Sequence, residues 1–327
     1  MEKIFLTGAT GFIGNNLVTK LLNKGFKVKI LVRDKKKLLG FGWQDSVQVL
    51  YGDILEPETF ANKISDCKII IHSAALIAFW NKLWDKVYKV NVIGTRNILE
   101  EALKSGCKKF IHISSVAAIG YGESGEPINE THPYNWGKYN ICYMETKYQA
   151  EIEVYNAIKK GLNATIVNPA NVWGTRDIAG RRVPIIKVVK YGFPFYVNAG
   201  TNFVDVDAVC EGIINSIELG RCGERYILGG DNLTIKDFLG IIADNQKVRK
   251  PFIELPKFPV VLYSHLQEIL ASIFGITPRP TKSQLCFFGN KIYYNNTKAI
   301  KELKMPYISF QECLGKTINY YKEKRFL

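Results

Sequence analysis

The segment Lys3-Ile4-Phe5-Leu6-Thr7-Gly8-Ala9-Thr10-Gly11-Phe12-Ile13-Gly14 runs an apolar strand straight into three glycines and on into a helix-period stretch reaching about residue 24. A chain that passes at once from strand to helix needs a residue without Cβ at the bend. It needs a second where a ligand approaches the backbone and a third where helix packs on strand. The following helix N-terminus offers unpaired N–H groups and the positive end of its dipole. Alone, glycines at this spacing also serve ordinary turns. With strand, turn and helix together they predict a cradle for the pyrophosphate of a dinucleotide.

The rest of the first half keeps the same rhythm. Short apolar runs at 27–32, 47–50, 68–72, 109–114 and 164–168 alternate with helix-period stretches such as 85–105 and 140–160. Strands alternating with helices predict an α/β fold, a doubly wound parallel sheet of the Rossmann type, with a smaller, mostly C-terminal substrate domain. Beyond Asn168 prolines, glycines and aromatics become denser. Phe203-Val204-Asp205-Val206-Asp207 followed by the periodic stretch 208–217 reads as one more strand and helix returning to the first domain. The expected division is 1–168 with about 200–222 for the nucleotide-binding domain, and 169–199 with about 223–327 for the substrate domain.

Composition excludes several classes. A 327-residue chain with 47% hydrophobic residues can bury a substantial core. Its start is already a strand and carries no leader pattern. The most lipid-like stretch, 258–276, is interrupted by His265, Gln267 and Glu268, so no integral membrane segment is expected. Seven widely spaced cysteines and four histidines, without a Cys-x-x-Cys pair, predict reduced thiols in the cytoplasm and no metal site. The +14 formal charge is spread over short clusters such as Lys108-Lys109 and Lys159-Lys160. Solvated faces account for it better than nucleic-acid binding, though such a field attracts phosphorylated cofactors or an anionic membrane surface.

Tyr143 and Lys147, four apart in a helix-forming stretch, share one helix face. An ammonium near a phenol favours the phenolate and would make Tyr143 a general acid or base near neutrality. In a chain with 17 tyrosines the pair can equally be a plain helix face. Ser114 and Ser115 stand at the end of the fifth strand, where doubly wound sheets place their ligands. A hydroxyl there could hydrogen-bond a reacting oxygen, or simply cap a turn.

On these residues the chain resembles the extended short-chain dehydrogenase/reductase family. Thr7 to Gly14 matches the family's nucleotide turn, and Tyr143-Met144-Glu145-Thr146-Lys147 its active-site motif. Gly52-Asp53-Ile54, His72-Ser73-Ala74-Ala75, Asn91-Val92-Ile93-Gly94-Thr95 and Asn168-Pro169-Ala170-Asn171-Val172-Trp173-Gly174 follow in family order. The likeness is nearest to the bacterial dihydroflavonol-4-reductase-like group, which includes hopanoid-associated sugar epimerase-like proteins. It implies that Ser115 polarises the substrate oxygen, Tyr143 exchanges a proton with it, and Lys147 holds the nicotinamide ribose. It further implies a cofactor groove formed by Thr7, Gly8, Thr10, Gly11, Phe12, Ile13 and Gly14, with Asp53 and Ile54 toward the adenine, Ala74 and Ala75 along the fourth strand, and Asn91. Ser114, Asn168 and Pro169 border the nicotinamide.

The choice of dinucleotide falls at the end of the second strand. Arg33 comes first after the apolar run, Asp34 next, and Lys35, Lys36 and Lys37 follow. A cation suits the extra phosphate of NADP and a carboxylate the ribose hydroxyls of NAD. NADP(H) is therefore expected, with NAD(H) possible should Asp34 face the ribose. The aromatics Phe79, Trp80 and Trp84, and Phe193, Phe195 and Tyr196, could wall an apolar substrate pocket or form core. The leading expectation is an oxidoreductase acting on the carbonyl or alcohol of a moderately hydrophobic small molecule, with a homodimer as its candidate assembly. One alternative is a nucleotide-sugar epimerase or dehydratase, with Arg176, Arg181 and Arg182 as candidate diphosphate ligands. The other is a non-catalytic dinucleotide-sensing scaffold.

Overall fold

Strands covered on both faces read as mainly apolar runs, and residues 3–169 supply six strands, five of them largely buried and the edge strand β3 only partly covered. They are β1 (Lys3–Thr7), β2 (Lys27–Val32), β3 (Gln48–Tyr51), β4 (Ile69–His72), β5 (Lys109–Ile113) and β6 (Ala164–Pro169). Every residue of β4, β5 and β6 is buried. The computed structural model describes residues 2–327 apart from Leu39, Ser124, Ile276, Thr277, Arg279 and Pro280, so the last residue of the apolar stretch 258–276 lies outside the described residues.

Between the strands run α1 (Phe12–Asn23), α2 (Trp84–Tyr88), α3 (Gly94–Lys104) and α4 (Cys142–Lys159). The stretch expected as one helix over 85–105 is divided by a wide π-type turn, Lys89–Ile93, between α2 and α3. Such turns insert an extra residue into a helix and re-aim a side chain. Here the turn contains the buried Asn91.

In the second half follow β7 (Asn171–Trp173), α5 (Val183–Lys190), β8 (Phe195–Tyr196), β9 (Gly200–Asp205), α6 (Val206–Leu219), β10 (Arg225–Leu228), β11 (Asp231–Thr234) and α7 (Ile235–Gln246). The remaining elements are β12 (Ile253–Glu254), α8 (Lys257–Phe274), β13 (Lys291–Ile292), α9 (Thr297–Glu302) and α10 (Phe310–Glu323). The main sheet is seven-stranded and parallel, in the order β10-β6-β5-β4-β1-β2-β3. Strand order reverses between β1 and β4, which opens a crevice at their carboxyl ends.

Two segments differ from the expected division. β9, placed by its sequence with the first domain, pairs with β7, β11 and β13 in a separate small sheet, and only its helix α6 returns to pack on α1. β10, placed with the second, adds to the main sheet beside β6, where Ile227, Leu228 and the Tyr226 ring find full burial. The second region is held by an aromatic core in which Trp173, Phe203, Phe238 and Phe310 meet, the Phe203 and Phe238 rings stacked with centroids 4.5 Å apart. This core anchors β7, and so the segment leaving Pro169 at the sheet edge.

Truncating Phe203 to alanine should cost about 3–5 kcal/mol of unfolding free energy in a urea titration. A loss under about 1 kcal/mol would show that the aromatic core does not carry this region.

Candidate active site

The glycine turn occupies the crevice at the strand-order reversal. Gly8 has a φ of +73°, and a Cβ there would come within 2.6 Å of the Ala74 amide nitrogen. A Cβ on Gly14 would collide with the Gly8 carbonyl oxygen, while Gly11 caps α1 with no side chain over the first-turn N–H groups. The turn therefore lies against the end of β4, where Ala74 and Ala75 are small, and leaves a bare helix N-terminus. A dinucleotide's pyrophosphate fits that cradle.

Thr7 ties the two strand ends together. Its Oγ1 accepts from the Ser73 and Ala74 N–H groups, both at 3.2 Å, and lies 2.7 Å from His72 Nδ1. His72 Nε2 in turn lies 3.0 Å from Thr95 Oγ1, which donates to the Asn91 carbonyl at 2.6 Å. With the Thr95 proton so committed, His72 donates from Nε2 and accepts the Thr7 hydroxyl proton at Nδ1. Burial pushes the His72 pKa down to about 3, the nearby Lys147 charge adding to the shift, so the ring is neutral as this chain of bonds requires. Asn91 accepts from the Leu76 N–H at 2.8 Å, and donates to the Leu76 carbonyl and to Thr146 of α4 at 3.1 Å. It braces the groove rather than lining it openly, being buried.

On α4, Tyr143, Lys147 and Glu151 follow one another at intervals of four on one buried face. Burial pushes the Tyr143 phenol up to about 12, with the Ser115 hydroxyl pulling it the other way. The sequence reading had Lys147 depressing this pKa. Here desolvation of the phenol outweighs any such pull, and the Lys147 ammonium donates to the Ile113 carbonyl at 3.0 Å. Burial also pulls Lys147 down to about 8, with the Glu151 carboxylate opposing. Ser115 caps a short turn, its Oγ accepting from the Ala117 N–H at 3.2 Å.

Glu151 is the residue that the sequence reading missed, although its place four beyond Lys147 was a signal. Buried at the base of the site, it accepts from Asn168 Nδ2 at 2.6 Å and pairs with Arg225 of β10 at 3.3 Å. Burial raises its pKa, offset by Ser114, Arg225, Asn168 and Lys147. Asn168 also donates to the Ser115 carbonyl at 2.9 Å, fixing the serine turn to β6, while its Oδ1 has no partner. That free acceptor beside Pro169 suits the amide of a nicotinamide.

The remaining positions divide. Arg33 follows β2 directly, is exposed, and stands 3.7 Å from Asp53. Asp34 turns its carboxylate back to the Lys36 N–H at 2.9 Å. Asp53 also accepts from the Leu55 N–H, and Ile54 packs against Gly94 of α3. Phe79 lies 5.5 Å from the Tyr143 ring and 6.3 Å from Phe287, whereas Trp84 packs with the small apolar cluster of Ala78, Val87 and Cys142. Phe193 and Phe195 pack on one another in the second region. Of the three arginines, Arg182 is held by Asn171 and the Val172 carbonyl with its guanidinium over Trp173.

Residues 4–229 match the model of the NAD dependent epimerase/dehydratase family. A Synechocystis protein with the provisional name dihydroflavonol 4-reductase is 30% identical over 99% of this chain and 95% of its own. The 4-hydroxy-2-methyl-3-oxo-4-farnesyl-3,4-dihydroquinoline-1-oxide ketoreductase of Stigmatella aurantiaca is 27% identical over 92% of this chain and 91% of its own. The crystal structure of gox2253 superposes with a TM-score of 0.85 at 33% identity, each chain covered in full. The chain therefore belongs to the NAD-dependent epimerase/dehydratase family, the extended short-chain dehydrogenases/reductases, and is an NAD(P)-dependent enzyme of that family.

Proposed function

We propose that this enzyme interconverts a carbonyl and an alcohol on a hydrophobic small molecule, with NADP(H) as its dinucleotide and Ser115, Tyr143 and Lys147 as its working groups. The observation that carries the reading is a buried tyrosine with a serine hydroxyl beside it, a buried lysine one turn away and a phenylalanine against its ring. The nicotinamide, when bound, supplies or accepts the hydride.

A phenol held near 12 is protonated at neutral pH, so Tyr143 is set to give its proton to a carbonyl oxygen as that oxygen gains charge. The Ser115 hydroxyl can donate to the same oxygen and stabilise the charge as it develops. Lys147, ammonium below about 8, supplies positive charge beneath them, oriented by its bond to Ile113. Thr7, Gly8, Thr10, Gly11, Phe12, Ile13 and Gly14 would hold the pyrophosphate, Asp53 and Ile54 the adenosine side, and Ala74, Ala75, Asn168 and Pro169 the nicotinamide side.

NADP(H) is favoured because Arg33 is the first side chain past β2, with Lys36 close behind, while Asp34 is occupied with its own turn. A hydrophobic substrate is favoured by Phe79 and Phe287 near Tyr143, and by the farnesyl-bearing substrate named for the Stigmatella relative. The nucleotide-sugar alternative is weakened by Arg182, which is already engaged within the protein.

Tyr143→Phe should lower kcat for carbonyl reduction by about 10²–10⁴-fold while leaving the dinucleotide Kd within about twofold. Turnover near the wild-type value would overturn the proposal. Arg33→Ala should weaken NADPH binding by about tenfold and barely change NADH binding, as fluorescence titration would read. Equal losses for both would remove the case for NADP. A third test uses stability. Burial holds Lys147 at about 8 against an ordinary 10.5, so between those values the unfolded chain binds a proton that the folded chain has released. Stability then rises as pH climbs through that window. Relative to a Lys147→Met variant, the protein should gain about 2 kcal/mol between pH about 7.5 and about 10 in urea titrations. A constant difference would contradict the buried-ammonium assignment.

A further inference from the structure

Helix α8 is apolar on both faces: Val261, Leu270 and Ala271 lie on its covered side, yet a second apolar stripe is left in water. Ordinarily the apolar stripe faces the core and polar residues face water. Here Phe258, Leu262, Leu266, Ile269 and Ile273, spaced at three and four, form one stripe, and it is the outward one: Phe258 is 76% exposed, Leu262 62%, Ile269 58% and Ile273 69%. Ser264 is fully buried, and His265 and Gln267 are partly covered, His265 bonding back to the Val261 carbonyl. No described helix is long and apolar enough to cross a membrane.

The stripe continues beyond the helix. β12 precedes α8 by two residues and pairs with β8, and the Phe252 and Ile253 N–H groups donate to the Pro194 carbonyl. That brings exposed Phe252 and Ile253 beside exposed Tyr191 and Phe193. The rim of this surface is cationic. Residues 247–274 carry Lys247, Arg249, Lys250 and Lys257 against Glu254 and Glu268, with Lys250 paired to Asp244 at 2.7 Å; Lys187 and Lys190 are exposed on α5, and Lys82 donates to Ser272 near the helix end. Arg249 lies over the Phe252 ring at 4.0 Å.

We propose that α8 and the adjoining aromatic lip of residues 191–195 and 252–253 dock the enzyme on an anionic lipid bilayer. An apolar helix face in the plane of the interface, with basic side chains around it, is the arrangement that gains both from burial among acyl chains and from the surface potential. A second copy of the chain is the poorer occupant, because two such rims brought face to face would set lysines and arginines against each other. The surface also lies next to the active site. α8 packs on the segment Lys282–Phe287, and Phe287 meets Phe79, which lies on Tyr143. Docking would therefore set the Tyr143 side of the site beside the bilayer, a consequence that rests on the hydrophobic-carbonyl reading above and fits a membrane-dissolved lipid ketone or alcohol.

Cosedimentation of the full chain with large unilamellar vesicles tests the docking. Vesicles of phosphatidylcholine with about 30% phosphatidylglycerol should bind at least about tenfold more tightly than pure phosphatidylcholine, and added salt should weaken the difference. The double variant Leu262→Asp and Ile269→Asp, both outward positions, should lose about tenfold or more of that binding. Its thermal transition, NADPH binding and turnover of a water-soluble ketone without vesicles should match the wild type. Absence of vesicle binding, or binding that the double variant retains, would overturn the proposal. So would light scattering that shows a wild-type dimer broken by the two aspartates. Vesicle binding in a protein that turns over no carbonyl would sink the functional reading and leave the docking standing. Turnover without vesicle binding would do the reverse.

Discussion

One hydroxyl holds the active edge of the sheet together. Thr7 Oγ1 accepts two backbone N–H groups from the end of β4 and gives its proton to His72, joining β1 to β4 at the point where the strand order reverses. The bonds continue through Thr95 and Asn91 to Thr146, one residue before Lys147. The nucleotide turn and the helix bearing Tyr143 are thus the two ends of one buried polar path. The bond from Thr7 to His72 depends on that ring being neutral, which burial enforces. In a low-dielectric interior such a path is rigid when all its members are satisfied, and costly when one is removed.

Beneath it lies a second, charged arrangement. Lys147 and Glu151 are shifted in opposite directions by the same cause, the loss of water around a charge. Each opposes the other's shift, and Arg225 and Asn168 also help keep the carboxylate charged. A buried carboxylate without such partners would take up a proton, and the ammonium above it would then have little reason to stay charged. Glu151 thus bears on the site through its charge on Lys147 and its bond to Asn168.

How far the sequence disclosed this follows from how local each signal is. The glycine turn, the strand-end serines and the Tyr143–Lys147 pair are each written within a few residues, and geometry at that range is nearly fixed by covalent connection. Arg225 reaches Glu151 from 74 residues away, and Asn168 from 17, so the charge cluster takes shape only once β10 and β6 are paired. The misplacement of β9 and β10 has the same origin. A short strand, whether the six residues of β9 or the four of β10, can extend a large sheet or a small one, and neighbours in space decide which. Arg182 looked free as a cation in the sequence because nothing local marks Asn171 and Trp173 as its partners.

Helix α8 shows a further limit of pattern. Periodicity reports that a helix has an apolar stripe and is silent on which way it faces, and three polar residues in the stretch 258–276 were enough to exclude a membrane span. Those same residues lie partly covered, beside the apolar Val261, Leu270 and Ala271, while the second apolar stripe faces outward. Facing Phe258, Leu262 and Ile269 outward is unfavourable in water. It becomes favourable only against another apolar phase, and the cationic rim makes an anionic one the natural choice. On such a phase the contacts from α8 through Phe287 and Phe79 would set the Tyr143 side of the site beside it.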